Sequence, residues 1–229
     1  MKTQHLFIQT IPAVLYGENA ERGYLFLHGQ MGHKEEAETF AQLVCPKGYQ
    51  VLSIDLPAHG ERQNREEELT PWRAVPDIQA ARDWAMQRWN SYSVRATSIG
   101  AYFAMLALED PDRALLLSPI VDMEDLILTM LGWAGTTELE LENQGEISTT
   151  FGQTLSWKYL CWVRAHAIHQ WTCRTSILYG SEDNMTPRRK IESFAQAHHA
   201  DLTVLEGGEH WFHTPEQLAA LKHWEQSSC

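Results

Sequence analysis

Residues 96 to 100 read Ala96-Thr97-Ser98-Ile99-Gly100, and Ala101-Tyr102-Phe103-Ala104-Met105-Leu106-Ala107-Leu108 follow without a break. Tyr92 to Thr97 reads as a strand, and the apolar run downstream is long enough for a buried helix. Ser98 therefore falls on the corner between them. A strand that turns directly into a helix needs small residues two before and two after the corner, where neighbouring backbone comes close. Ala96 and Gly100 meet that need. The usual form is Gly-x-Ser-x-Gly, from which Ala96 departs by one methyl group. Small-x-Ser-x-Gly also arises by chance, so the corner carries meaning only with its strand, turn and helix.

Working outward, strand-like and helix-like runs alternate, with no internal repeat or low-complexity tract. Leu6 to Thr10 and Ala13 to Tyr16 read as opening strands around Pro12, and Tyr24 to Leu27 as a buried strand ending at His28-Gly29. Lys34 to Val44 carries a helical stripe of Ala37, Phe40, Ala41 and Val44, stopped by Pro46 and Gly48. Gln50 to Asp55 is a strand, Glu61 to Glu68 a charged loop, and a helix is expected from about Pro76 to Trp89. Beyond the corner, Leu115 to Ser118, Ile177 to Tyr179 and Leu202 to Leu205 read as strands. Thr186-Pro187 and Thr214-Pro215-Glu216-Gln217 read as helix starts, the second with a capping-box glutamine. The order implies an α/β fold with a mostly parallel central sheet flanked by helices. Loops leaving the carboxyl ends of parallel strands share one edge, where ligands bind. Ser98, Asp183 and His210 all belong to such loops.

The chain's 229 residues suit one domain, or one domain with a large insertion. Eighteen basic against 30 acidic residues give a net charge of −12, without a basic cluster. That argues against nucleic acid and anionic membrane as partners. The apolar run after Met1 is broken by Gln9 and Pro12, unlike a signal-peptide core, and no stretch is long and apolar enough to span a bilayer. Cys45, Cys161, Cys173 and Cys229 show neither a Cys-x-x-Cys pair nor a disulfide-framework spacing. A soluble, cytoplasmic protein with reduced thiols is expected.

His28-Gly29, Asp55-x-Pro57-x-His59-Gly60, the corner at Ser98, Gly180-x-x-Asp183 and Gly208-x-His210 follow one another, each after a predicted strand. In this order and spacing, over nearly the whole chain, the sequence resembles the α/β-hydrolases, whose triad runs Ser, acid, His. The resemblance implies Ser98 as nucleophile, His210 as its base and Asp183 as the carboxylate that orients the imidazole. It also implies an oxyanion hole from the backbone N–H groups of Gln30 and Ile99, the latter helped by its helix N-terminus. His28 and His59 belong to motifs that, in the family, shape loops and the oxyanion wall. No cofactor and no metal are implied.

Each assignment has a rival. Asp122, after Ser118-Pro119, stands where some members keep the acid; Asp183 is preferred. His213 would serve as base if the loop register differed. His210-x-x-His213 and His166-x-x-His169 lack a third ligand at a recognisable spacing, so a structural or surface role is assigned to His166 and His169.

More than fifty residues separate the strands ending near Ser118 and starting near Thr175, more than one crossover needs. Residues 119–172 are therefore expected to form a helical cap on a core of 1–118 and 173–229. The acidic run Glu138, Glu140, Glu142 and Glu146 reads as a solvated turn. The aromatics Trp133, Phe151, Trp157, Tyr159, Trp162 and Trp171 suit a small cap core or an apolar pocket over Ser98, and Trp157, Trp162 and Trp211 are the pocket candidates. The expected activity is hydrolysis of a small-molecule carboxylic ester with an apolar or aromatic acyl group. Alternatives are an amide, peptide, lactone or thioester substrate, or a non-catalytic binding protein, for which Ala96 and the charged Arg95 would speak. Substrate identity and oligomeric state are left open.

Overall fold

The computed structural model describes residues 1–63, 68–168 and 171–229. In chain order come β1 (Thr3–Ile8), β2 (Ile11–Tyr16), β3 (Arg22–Leu27), α1 (Ala37–Val44), β4 (Gln50–Ile54), α2 (Pro71–Met86), β5 (Ser91–Thr97), α3 (Ile99–Ala107) and β6 (Ala114–Leu117). A long segment then carries α4 (Met123–Trp133), α5 (Glu138–Gln144), β7 (Glu146–Ser148), β8 (Thr154–Ser156) and α6 (Trp157–Ala165). The chain finishes with β9 (Thr175–Gly180), α7 (Arg188–Ala197), β10 (Asp201–Leu205) and α8 (Pro215–Ser228).

Eight strands form one sheet in the order β1-β2-β4-β3-β5-β6-β9-β10. β2 is antiparallel to both its neighbours, and every other pair is parallel. The expected mostly parallel sheet flanked by helices is thus borne out. Successive side chains point to opposite faces, so parallel strands covered on both sides are largely apolar. In β3, Tyr24 and Phe26 pack with Phe40 and Val44 of α1 and Trp224 of α8. Leu25 and Leu27 face the other way, into a cluster with Ile78 of α2, Phe103 of α3 and Ile191 of α7. Among the described residues no helix is long and apolar enough to cross a membrane.

Arg95, on the side of β5 that also carries Ser91, Ser93 and Thr97, is accommodated because it has a buried partner. Its Nε donates to Glu225 Oε1 of α8 at 2.7 Å and its Nη1 to Thr97 Oγ1 at 2.7 Å, with Arg95 3% and Glu225 5% exposed. A buried charge is tolerated when paired and hydrogen-bonded.

Several local expectations are corrected. Pro12 lies inside β2, where its carbonyl accepts from the Asp55 N–H at 3.0 Å. α2 begins at Pro71, five residues before Pro76, which sits within it. Proline at the first helical position needs no donor, and the first turn is packed through Trp72 against Tyr159, so one bond lost at Pro76 is carried. Three of the four residues of the acidic run lie in a helix, α5, and Glu146 opens β7: Thr137 Oγ1 accepts from Glu140 N–H while Glu140 accepts from Thr137 N–H. This is a capping box, legible as Thr137-x-x-Glu140. The segment between β6 and β9 is not purely helical, because β7 and β8 pair antiparallel within it. α7 starts at Arg188, with Pro187 at its N-cap and the Thr186 hydroxyl donating instead to Pro119 O. Thr214 does cap α8, but Gln217 accepts from His213 N–H, one residue earlier than a capping box requires. Residues 64–67 of the expected charged loop, and His169, lie outside the described residues.

Candidate active site

β5 turns into α3 at Ser98, which has φ 51° and ψ −121°. A non-glycine residue in this region costs roughly 1–3 kcal/mol and persists only where its surroundings impose it. They do so here. Ser98 N–H donates to Leu117 O on β6, and Ser98 O accepts from Ala101 and Ile120. A Cβ on Gly100 would lie 2.2 Å from the His28 carbonyl oxygen, so only glycine fits two residues after the serine. Ala96, two before it, is fully buried.

The loops after β9 and β10 meet beside this corner. Glu182 N–H donates to Gly208 O (2.8 Å), Ser181 N–H to Leu205 O (3.0 Å) and Gly207 N–H to Ser181 Oγ (2.8 Å). A side chain on Gly180 would strike Gly208 O at 2.3 Å, so the two backbones can approach this closely only without one. Asp183 and His210 are thereby brought together. Asp183 Oδ2 is 2.7 Å from His210 Nδ1, and its Oδ1 accepts from the N–H groups of Met185 (2.8 Å) and Thr186 (3.0 Å). His210 Nε2 lies 2.8 Å from Ser98 Oγ. An ionised carboxylate only accepts, so Nδ1 carries the proton and Nε2 presents its lone pair to the serine hydroxyl. The Asp183 side chain has no solvent exposure and that of His210 is 15% exposed.

No family model matches the sequence, and no curated protein matches it. Solved structures do. Est1E from Butyrivibrio proteoclasticus, determined with ferulic acid bound, aligns at a TM-score of 0.78 over 98% of this chain and 96% of its own, with 18% identity. Alpha/beta hydrolase domain-containing protein 10 from mouse aligns at 0.73 over 99% and 98%, with 14% identity. The chain has the α/β-hydrolase fold. A Pyrococcus furiosus esterase shares it at a TM-score of 0.65 over 99% of this chain and 87% of its own, with 13% identity.

Within this α/β-hydrolase fold the loop after β3 forms the other wall beside Ser98. A Cβ built on Gly29 would lie 3.4 Å from the Ser98 Cβ, which sets Gln30 next to the serine. Ile99 is the first residue of α3, so its N–H has no acceptor within the helix. His28 is fully buried, and both its ring nitrogens are engaged: Leu56 N–H donates to Nε2 (3.1 Å), which leaves the proton on Nδ1 to donate to Gly29 O (2.8 Å). Burial holds the His28 imidazole neutral, pushing its pKa down to about 4. His59 packs 5.2 Å from it, centroid to centroid, with Nδ1 2.8 Å from Pro57 O.

An ion cluster built on the buried Lys34–Asp55 pair, with the part-exposed Glu35 and the exposed Glu61 at its rim, underlies the same loop. Lys34 Nζ reaches Asp55 (2.9 Å), Glu61 (2.7 Å) and Glu35 (2.9 Å), and Lys34 N–H donates to Asp55 Oδ1 at 2.8 Å. Lys34 was legible only as a helix residue; nothing in its own sequence neighbourhood points to Asp55, 21 positions on.

The rivals stand apart. Asp122 caps α4, accepting from Asp125 N–H at 3.0 Å, and pairs with Lys190 of α7 at 2.6 Å. His213 turns away: its Nδ1 meets Trp211 O (2.8 Å) and Glu209 (3.2 Å). His166 stacks on Trp162 at 4.0 Å. Of the aromatic candidates, Trp157 and Trp162 are half-buried on α6, whereas Trp211 is 75% exposed and stacked on His213. Trp171 is buried as a core residue, donating to Thr175 Oγ1.

Proposed function

We propose that the protein is a serine hydrolase that cleaves a small carboxylic ester through an acyl-enzyme on Ser98. One observation carries the reading: Ser98, His210 and Asp183 form a continuous hydrogen-bonded chain of 2.8 and 2.7 Å on loops at one edge of the sheet. Nucleophile, base and orienting carboxylate within this reach are the parts acyl transfer needs. The two esterases that share the fold support the choice of an ester.

In the reaction so assigned, Ser98 Oγ attacks the ester carbonyl as His210 Nε2 takes its proton. The buried Asp183 carboxylate stabilises the imidazolium that forms. The oxyanion is met by the N–H groups of Ile99 and Gln30. Gly29 O accepts from His28 Nδ1 and from Gly32 N–H (3.2 Å), and this carbonyl belongs to the peptide that carries the Gln30 N–H. In a trans peptide the two point in opposite directions, so fixing the carbonyl aims the donor. His210 then returns its proton to the leaving alkoxide, and water repeats the sequence in reverse to release the acid. The segment between β6 and β9, as a cap, supplies the acyl pocket.

The test is labelling with a fluorophosphonate probe read by intact mass, on the native protein and on Ser98→Ala, beside turnover of p-nitrophenyl esters. One adduct on the native protein and none on the variant is expected. A folded native protein that takes no label would overturn the reading and leave a ligand-binding role on the same scaffold.

A further inference from the structure

Two phenol groups near the proposed site are buried without partners. Tyr102 lies on α3, one helical turn beyond Ser98, and is 2% exposed. Tyr159 lies on α6, in the segment that the proposed function makes a cap. Each hydroxyl oxygen is shut off from solvent, and neither has a hydrogen-bond partner. Tyr159 packs against the apolar cluster that contains Tyr102. Trp72 of α2 walls the place off, its ring 6.0 Å from that of Tyr159 and edge-on to it.

The surroundings do not explain two hydroxyls. The same cluster holds Met123, Leu126 and Ile127 of α4 and Leu160 and Val163 of α6, all apolar and buried. A buried hydroxyl left unsatisfied is costly, whereas phenylalanine would fill nearly the same volume without that cost. The two rings do not satisfy each other, so a third group has to. Burial keeps both phenols protonated, raising their pKa values well above the ordinary one. Each can therefore donate one hydrogen bond and accept another. A charged oxygen buried in this apolar cluster without a counter-ion would cost far more than a neutral one.

We propose that Tyr102 and Tyr159 form a recognition point for the acyl group, selecting esters whose acyl part carries an uncharged hydrogen-bonding oxygen, a hydroxyl or an ether. This rests on the serine-hydrolase reading and deepens it. Tyr102 follows Ser98 by four residues, about 6 Å of helix rise, so the oxygen is sought away from the ester carbonyl and its spacing is varied in the test.

The experiment uses pairs of p-nitrophenyl esters. One pair is a hydroxyphenylpropanoate and the tolyl isostere; the others are alkanoates of graded length and the same chains with one distal methylene replaced by an ether oxygen. Native protein, Tyr102→Phe and Tyr159→Phe are compared by kcat/KM, with thermal unfolding as the check on folding. The native protein is expected to favour the oxygen-bearing member of at least one pair, and each variant to lose roughly tenfold of that preference, the worth of about one neutral hydrogen bond. Equal rates within every pair, or a preference that neither substitution moves, overturns the proposal. Absence of turnover on all esters, together with no fluorophosphonate adduct, instead overturns the hydrolase reading and this one with it.

Discussion

Acid should destabilise the protein through one residue in particular. His28 is fully buried and neutral, its pKa held at about 4 by burial against an ordinary 6.5. The unfolded chain binds a proton at the ordinary value, so between these two pKa values it carries more protons than the folded protein. Stability therefore rises with pH across that window: the contribution is complete above about 6.5 and is lost as pH falls toward 4. The full difference is about 3 kcal/mol, and about 2 kcal/mol of it should disappear between about pH 7 and about pH 4.5. The cause is steric as well as electrostatic, because Nε2 already accepts from Leu56 N–H and has no room for a proton of its own. Urea unfolding at both pH values, on the native protein and on His28→Gln, isolates this share from that of the carboxylates common to both. The variant should be less stable at pH 7, since Gln can replace the acceptor for Leu56 but not the donor to Gly29 as well, yet lose about 2 kcal/mol less on acidification. Equal losses in the two proteins would refute the argument. Turnover at pH 7 adds a second reading, since an unaimed Gln30 donor lowers kcat with little change in KM.

Asp183→Asn should cut kcat by about ten-thousandfold, because the amide holds the wrong tautomer of His210. Asp122→Ala should leave kcat near its native value and lower stability by about 1 kcal/mol, through the lost cap on α4 and the lost Lys190 pair; the reverse order of kcat effects would move the acid to Asp122. Ser98→Gly should abolish turnover and raise unfolding stability by about 1 kcal/mol, since glycine takes φ 51° without strain and gives back part of the gain in backbone entropy. A less stable glycine variant would count against a strained corner. Glu225→Ala should lower stability by about 3–5 kcal/mol by stranding the Arg95 guanidinium, while Arg95→Met combined with Glu225→Leu should recover most of it. A double-mutant cycle by chemical unfolding decides this, and additive losses would show that the pair is uncoupled.

The sheet was legible because local pattern and tertiary demand agree. Strands buried on both faces are largely apolar, and the turn residues between them sit at strand ends. Ser98, Asp183 and His210 could be placed on one edge for the same reason: each follows a strand, and parallel strands deliver their following loops together. Two kinds of feature escaped. Where a weak local signal was outweighed, the outcome was misjudged: Pro76 argued for a later helix start, but proline at position 71 and the packing of Trp72 set the start earlier. The second kind has no local signal at all. Arg95 looked out of place because its partner is 130 residues away on α8, and the grip of Lys34 on Asp55 spans 21 residues. Pairings of this range are decided by the packed structure.

These long-range contacts bear on the site itself. A serine at φ 51° and a buried imidazole held neutral are both unfavourable locally, and both lie within one or two residues of the atoms assigned to the chemistry. Each is held from outside its own loop: the corner by Leu117 and Ile120, the loop after β3 by Leu56 and the Lys34–Asp55 pair, the acid and base loops by each other. Such restraint holds Ser98, His210 and Asp183 together before any substrate arrives, so the residues assigned to bond cleavage need no movement to assemble. In the proposal above, discrimination between substrates falls to two of the buried hydroxyls that have no partner, Tyr102 on α3 and Tyr159 on α6. Satisfying a buried hydroxyl distinguishes one acyl group from its isostere more sharply than adding another apolar contact does, because the wrong isostere leaves that hydroxyl unpaired.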